Sequence, residues 1–317
     1  MAGTRPARRR SAPKRSALCS AGLVLSMSAE MSAAVISSRS RSFPEKVRYA
    51  SEWLNDRLAV HGDLNTATRD PSSYLDNGEY AKAQEDFMWR NAELAVEAVE
   101  KVNRSGEVSQ ELFLRDVLPF RHFDEPVDKW RPFFYERLGP LADRETSLRG
   151  VAEAVLPAAF GGALGKKVEF KGNNTPQVMA PISETLAKGY ASCTGVSIFA
   201  ADALRSVGVP ARVVGTPEWN VPTGGNHNWV EVWWGGAWHF IDGAPVTDTV
   251  EWDKTWFLEN TREAVAGTKH GIYTPVVDTD EADAKYLITW REPPFQMQAK
   301  DRTAFYKGRG VNPEVNY

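Results

Sequence analysis

The stretch His227-Asn228-Trp229-Val230-Glu231-Val232-Trp233-Trp234-Gly235-Gly236-Ala237-Trp238-His239-Phe240-Ile241-Asp242 decides the fold of this chain. Its first eight residues alternate as a half-buried strand, with His227, Trp229, Glu231 and Trp233 on one face and Val230, Val232 and Trp234 on the other. Gly235-Gly236 makes a two-residue turn into a return strand ending at Asp242. That turn pairs Trp233 with Trp238, Glu231 with Phe240 and Trp229 with Asp242. Asp242 then lies diagonal to His227 on one face, roughly 7–8 Å away at Cα, where a carboxylate can orient an imidazole. A slip of one residue would turn Asp242 away. His239 points to the opposite face as a packing or surface histidine. Glu231 is expected to form a salt bridge with a basic residue such as Arg212, and Asn226 and Asn228 to shape the start of the strand.

Upstream lies Gly189-Tyr190-Ala191-Ser192-Cys193-Thr194-Gly195. Val196, Phe199, Ala200, Ala203, Leu204 and Val207 follow at helical spacing until Gly208 and Pro210 stop the pattern, which predicts a buried amphipathic helix with Cys193 at its N-terminus. Unpaired backbone N–H groups and the positive end of the helix dipole favour an anion there, lowering a thiol's pKa and offering donors to an oxyanion. A small buried cysteine would be the plain alternative. The histidine and aspartate downstream favour a nucleophile, because a thiol needs a base or a positive environment to become thiolate.

With these residues in place the sequence resembles the transglutaminase-like superfamily, whose members share a papain-like core and a Cys, His, Asp order. The resemblance rests on Ser192-Cys193-Thr194-Gly195, the Gly208-Val209-Pro210-Ala211-Arg212 step into a strand, His227-x-Trp229-x-Glu231, and Trp238 four residues before Asp242. It covers about residues 170 to 250, and the separations of 34 from Cys193 to His227 and 15 from His227 to Asp242 are usual for the family. Asp242 is followed by Gly243-Ala244-Pro245 where many relatives carry a proline or threonine, which leaves Asp248 as the alternative third member.

The resemblance implies Cys193 as nucleophile, His227 as general base and later acid, and Asp242 holding the imidazole in the useful tautomer. The expected activity is thiol-dependent acyl chemistry on amide bonds of peptide or protein substrates. Hydrolysis is slightly preferred, because water is the default acceptor and no amine-binding feature is visible. A crosslinking glutamine transamidase and a noncatalytic binding scaffold of the same fold are the alternatives. The backbone N–H of Cys193 and, by position, Gln177 would hold the oxyanion. Trp219, Trp229, Trp233 and Trp238 could line a substrate groove, although tryptophans at strand spacing are more often core. No cofactor is implied. The five histidines are scattered and no cysteine pair exists, which speaks against a metal site and against the zinc-bearing peptide N-glycanases of the superfamily.

The chain has 317 residues, 42% of them hydrophobic and 11% aromatic, enough for a sizeable core. Its net charge of −3 conceals an asymmetry: residues 1–42 hold eight of the 38 Lys and Arg but one of the 41 acids, leaving the remainder at −10. An acidic body without a basic stripe argues against nucleic acid. Residues 1–42 read as a leader, basic at Arg8-Arg9-Arg10, with an apolar stretch from Ala17 to Met27 too short to span a bilayer. A secretory signal and an organellar transit peptide both fit. A disordered tail, or a start upstream of the true Met31, would leave the protein cytoplasmic. Cys19 falls within this segment, so a processed chain would keep Cys193 alone and form no internal disulfide.

Residues 43–160 read as a helical N-terminal domain. Leu94, Ala95, Ala98, Val99 and Val102 keep helical spacing, as do Leu148, Val151, Ala152, Val155, Leu156 and Ala159, with breaks at Pro119, Pro126 and Gly139-Pro140. Residues 161–317 are expected to form the catalytic core and a C-terminal extension, with a helix from Trp256-Phe257-Leu258 and a late strand Tyr286–Trp290. The predicted class is α+β: a papain-like, transglutaminase-like core with the cysteine helix packed on an antiparallel sheet. Oligomeric state is not legible in the sequence.

Overall fold

The computed structural model describes residues 42–58 and 77–311. The leader read over residues 1–42 lies outside them apart from Ser42. No described helix is long and apolar enough to cross a membrane.

Among the described residues, four helices of 11 residues or more precede the first strand: α1 (Phe43–Leu58), α2 (Asn77–Val102), α3 (Trp130–Ala142) and α4 (Leu148–Ala158). The predicted spacing holds in α2 and α4, where Ala95, Val99, Val102, Val151, Ala152, Val155 and Leu156 are buried. Gly139-Pro140 does not end α3, which runs on to Ala142 with Pro140 inside it. The missing N–H falls in the last turn, where little helix remains to be disrupted.

The cysteine helix, α5 (Cys193–Ser206), is buried along its whole length. Ser192 caps it, accepting the Gly195 N–H at 3.4 Å. It stops as the sequence predicts: Gly208 takes φ +85°, its N–H bonds Arg205 O, and the Val209 N–H bonds Leu204 O. A Cβ on Gly208 would lie 2.7–2.8 Å from backbone atoms of Ala98 and Val99, so only glycine lets α2 pack against this corner.

Two two-residue strands, β1 (Glu169–Phe170) and β2 (Tyr190–Ala191), pair in parallel just before α5. The main sheet holds β3 (Ala211–Thr216), β4 (His227–Trp234), β5 (Ala237–Ile241), β6 (Tyr273–Pro275), β7 (Ala284–Ile288) and β8 (Phe295–Asp301). Its order is β5-β4-β3-β6-β8-β7, antiparallel throughout. Strand β7 is the predicted late strand, ending at Ile288. The Gly235-Gly236 turn has φ +60° and +80°, and β4 pairs β5 in the predicted register, Trp233 opposite Trp238 and Glu231 opposite Phe240.

Alternation sends Val213, Val230, Val232 and Ile241 into the core shared with α5 and the N-terminal helices. Val214, Trp229 and Phe240 enter a second cluster with Phe257 and Tyr306, the latter on the C-terminal helix α6 (Thr303–Val311). The sheet is thus covered on both faces. Trp256-Phe257-Leu258 forms a single short helical turn rather than the expected longer helix, because Phe257 anchors it in that cluster.

Candidate active site

Strand β4 opens with two neighbours facing opposite ways. His227 shares its face with Trp229 and Glu231, while Asn228 turns toward α5. At the end of β5 the chain reaches Asp242, one residue beyond the last paired position. Its Oδ1 lies 2.7 Å from His227 Nε2 and also accepts the Gly243 N–H at 2.7 Å. Gly243 is required here, since a Cβ would fall 1.9 Å from Asn228 O. This close approach accounts for the glycine directly after the aspartate. Asp248 is exposed in the following loop.

With Nε2 engaged by Asp242, His227 interacts with the sulfur of Cys193 through hydrogen bonding and charge. Burial alone would push the thiol up. The His227 hydrogen bond and charge, the Asn228 backbone N–H and the Thr194 hydroxyl overcome it, and the thiol is lowered from its ordinary value. For His227 burial also disfavours the charged form, yet Asp242 and Cys193 raise the imidazole to about 9. Both shifts favour a thiolate–imidazolium pair at neutral pH.

The loop bearing Gln177 is tied to the start of α5, because Ser192 Oγ donates to Gln177 O at 2.7 Å. Gln177 Nε2 donates to Thr194 Oγ1 at 2.7 Å and lies 3.9 Å from Cys193 Sγ. The residue expected by position alone is therefore beside the sulfur.

The tryptophans divide differently from the expectation of a groove. Trp229 is fully buried and donates from Nε1 to Tyr306 OH at 2.7 Å; Trp219 is buried and stacks on it with centroids 5.9 Å apart. Both support the imidazole from beneath, with centroids 5.9 and 6.5 Å from His227. Trp233 sits six residues along β4, about 20 Å from His227. There it packs edge-on against Trp238, and its Nε1 donates to Glu107 O. None of the three lines a substrate groove: the alternation that carries His227 turns Trp229 into the second cluster and takes Trp233 to the far end.

Trp256 is the aromatic that faces outward. It is 61% exposed and its ring centre lies 5.1 Å from that of His227. Together with Asp242, Ala244–Thr249, Glu251, Lys254 and Thr255 it borders an open groove of about 410 Å³. No periodicity marks this tryptophan in the sequence. Behind the site Glu231 bonds Arg212 as expected, at 2.8 Å, and also Arg302 and Tyr306 OH, both at 2.9 Å. His239 turns away, stacked on Trp234 and paired with Asp253. Among the described residues no cluster of His, Cys, Asp and Glu could hold a metal ion.

Residues 157–243 match the family model of the transglutaminase-like superfamily. That stretch is similar to the core of the transglutaminase-like superfamily. The match begins in the last turn of α4 and ends just past Asp242. A candidate cysteine protease of known structure from Cytophaga hutchinsonii is similar at 18% identity and a TM-score of 0.29. That similarity covers 39% of this chain, and the chain spans 38% of the length of that protein. Comparison with curated proteins returned no match.

Proposed function

We propose that Cys193, His227 and Asp242 form a nucleophilic site that hydrolyses amide bonds of peptide or protein substrates. The observation that carries this reading is the 2.7 Å bond from His227 Nε2 to Asp242, which leaves the rest of the imidazole to the sulfur.

The Cys193 thiolate attacks the amide carbonyl carbon, and the carbonyl electrons move onto oxygen. The Cys193 N–H and Gln177 Nε2, which lies 3.9 Å from the sulfur, receive that oxyanion in this reading. As the tetrahedral adduct collapses, the C–N bond breaks and the imidazolium of His227 protonates the departing amine. A thioester and neutral imidazole remain. Water then attacks, giving its proton to His227, and the second collapse releases a carboxylic acid and restores the ion pair. Asp242 keeps the imidazole oriented and its charged form stabilised in both halves. An open groove beside Asp242 and Trp256 supports water as the acceptor, since solvent is the default occupant of an open site.

Incubation with a glutamine-containing peptide library and a labelled primary amine tests the reading by mass spectrometry. Hydrolysed products are expected. Amine adducts would make the protein a transamidase, and no change in any peptide would leave a binding scaffold.

A further inference from the structure

Directly behind the sulfur lies a polar chain that the proposed chemistry does not use. Tyr286 on β7 is fully buried, and its OH donates to Asn228 Oδ1 at 2.7 Å. That bond fixes the amide, whose Nδ2 donates to Thr194 Oγ1 at 2.7 Å. Thr194 Oγ1 accepts a second bond from Gln177 Nε2, also at 2.7 Å. A hydroxyl has two acceptor positions and one proton. With both acceptor positions filled, Thr194 ties Asn228 to Gln177, whose Nε2 also reaches the Cys193 sulfur at 3.9 Å.

The backbone makes room for this chain. Gly215 stands opposite Asn228 in the β3–β4 pair, and a Cβ there would lie 2.1 Å from Asn228 Oδ1 and 2.6 Å from Tyr286 OH. Phe123 and Trp290 pack edge-on against the Tyr286 ring and exclude other partners for the phenol. Burial also holds the phenol far above its ordinary pKa, so it remains a donor.

We propose that Tyr286, Asn228 and Thr194 form a buried hydrogen-bond relay that holds the Gln177 amide against the Cys193 sulfur, making all three positioning residues for the nucleophile. Each bond fixes the orientation of the next group, so removing the remote phenol loosens the amide at the sulfur. The relay takes one N–H of Gln177 and leaves the other directed at the sulfur. This inference rests on the nucleophile reading of Cys193 and names the groups that tune it.

The test is the pH profile of iodoacetamide alkylation of Cys193 in the full chain, with thermal melting as the fold control. The titratable groups acting on the sulfur are His227, with Asp242 behind it, and Tyr286. All variants keep the first two. Thr194→Val is expected to raise the apparent thiol pKa by about one unit, a tenfold loss of thiolate at fixed acidic pH. Tyr286→Phe should lose about threefold, and Thr194→Ser should restore the wild-type profile. Should Thr194→Val melt early, Thr194→Ala carries the same expectation without an added methyl. A depressed wild-type pKa with unchanged profiles in folded Tyr286→Phe and Thr194 variants overturns the relay alone. A wild-type sulfur that alkylates like a free thiol overturns the nucleophile reading and the relay with it.

Discussion

Two histidine–aspartate pairs lie against the same helix, one at its N-terminal end and one inside the molecule. His227 and Asp242 are 2.7 Å apart with side chains 11% and 27% exposed; His122 and Asp202 are 3.1 Å apart with side chains 3% and 1% exposed. Asp242 and the sulfur raise His227 to about 9. Burial, with the guanidinium groups of Arg205 and Arg131 nearby, holds His122 well below its ordinary value, and burial together with Glu125 pushes Asp202 up. The residue types match, but the neighbouring charges are opposite in sign. Asp242 and the Cys193 sulfur favour the charged form of one imidazole; burial and nearby cations favour the neutral form of the other.

The inner pair belongs to a structural lattice. Arg131 gives its protons to Asn91 Oδ1 and to the carbonyls of Arg205, Val117, Leu118 and Pro119, and Arg205 bonds Ala211 O and Pro119 O. These bonds lock α3 and the 117–119 segment onto the back of α5. The outer pair faces the open groove and is held by the sheet. One polar region fixes the cysteine helix, and the other charges its end.

The largest break in this comparison should come from Cys193→Ala, which is expected to abolish turnover while leaving the melting temperature near wild type. Any residual thiol-independent activity, measured on the same peptides, would assign the chemistry elsewhere. Asp242→Asn should lower kcat about a hundredfold or more while costing under about 1 kcal/mol of stability, because its role is to orient the imidazole. Asp202→Ala should do the reverse, destabilising the fold by about 2 kcal/mol in urea titrations by leaving a buried imidazole unpartnered. Equal effects of the two aspartate variants on rate and stability would erase the distinction. The smallest effect is the pH response. Turnover should decline above about pH 9, where His227 loses the proton needed by the leaving amine, and decline in acid as the depressed thiol is protonated. A two-limbed kcat profile checks both signs.

Much of this architecture follows from local pattern. Period-two alternation and the glycine turn specify the β4–β5 register, and helical spacing bounded by Ser192 and Gly208 specifies α5. Those two signals place Cys193, His227 and Asp242 at element ends before any coordinates are consulted. Trp256 and Tyr286 carried no such sign. Trp256 opens a short helical turn after Asp242, and Tyr286 lies on a strand separated from Asn228 by 58 residues and reached only across the sheet. The tryptophans of β4 mislead for a related reason: alternation shows which residues share a face but not what covers it. Here α6 and Phe257 cover that face and turn Trp229 into core.

The sequence alone determined the cysteine helix, the hairpin and the register of that hairpin, because hydrogen-bond period and turn chemistry act between near neighbours. Only the tertiary structure decided in which direction each of two similar imidazoles is shifted, which aromatic meets solvent and which amide reaches the sulfur. Burial and electrostatic fields depend on distance in space, and the residues that set them here are scattered over much of the chain.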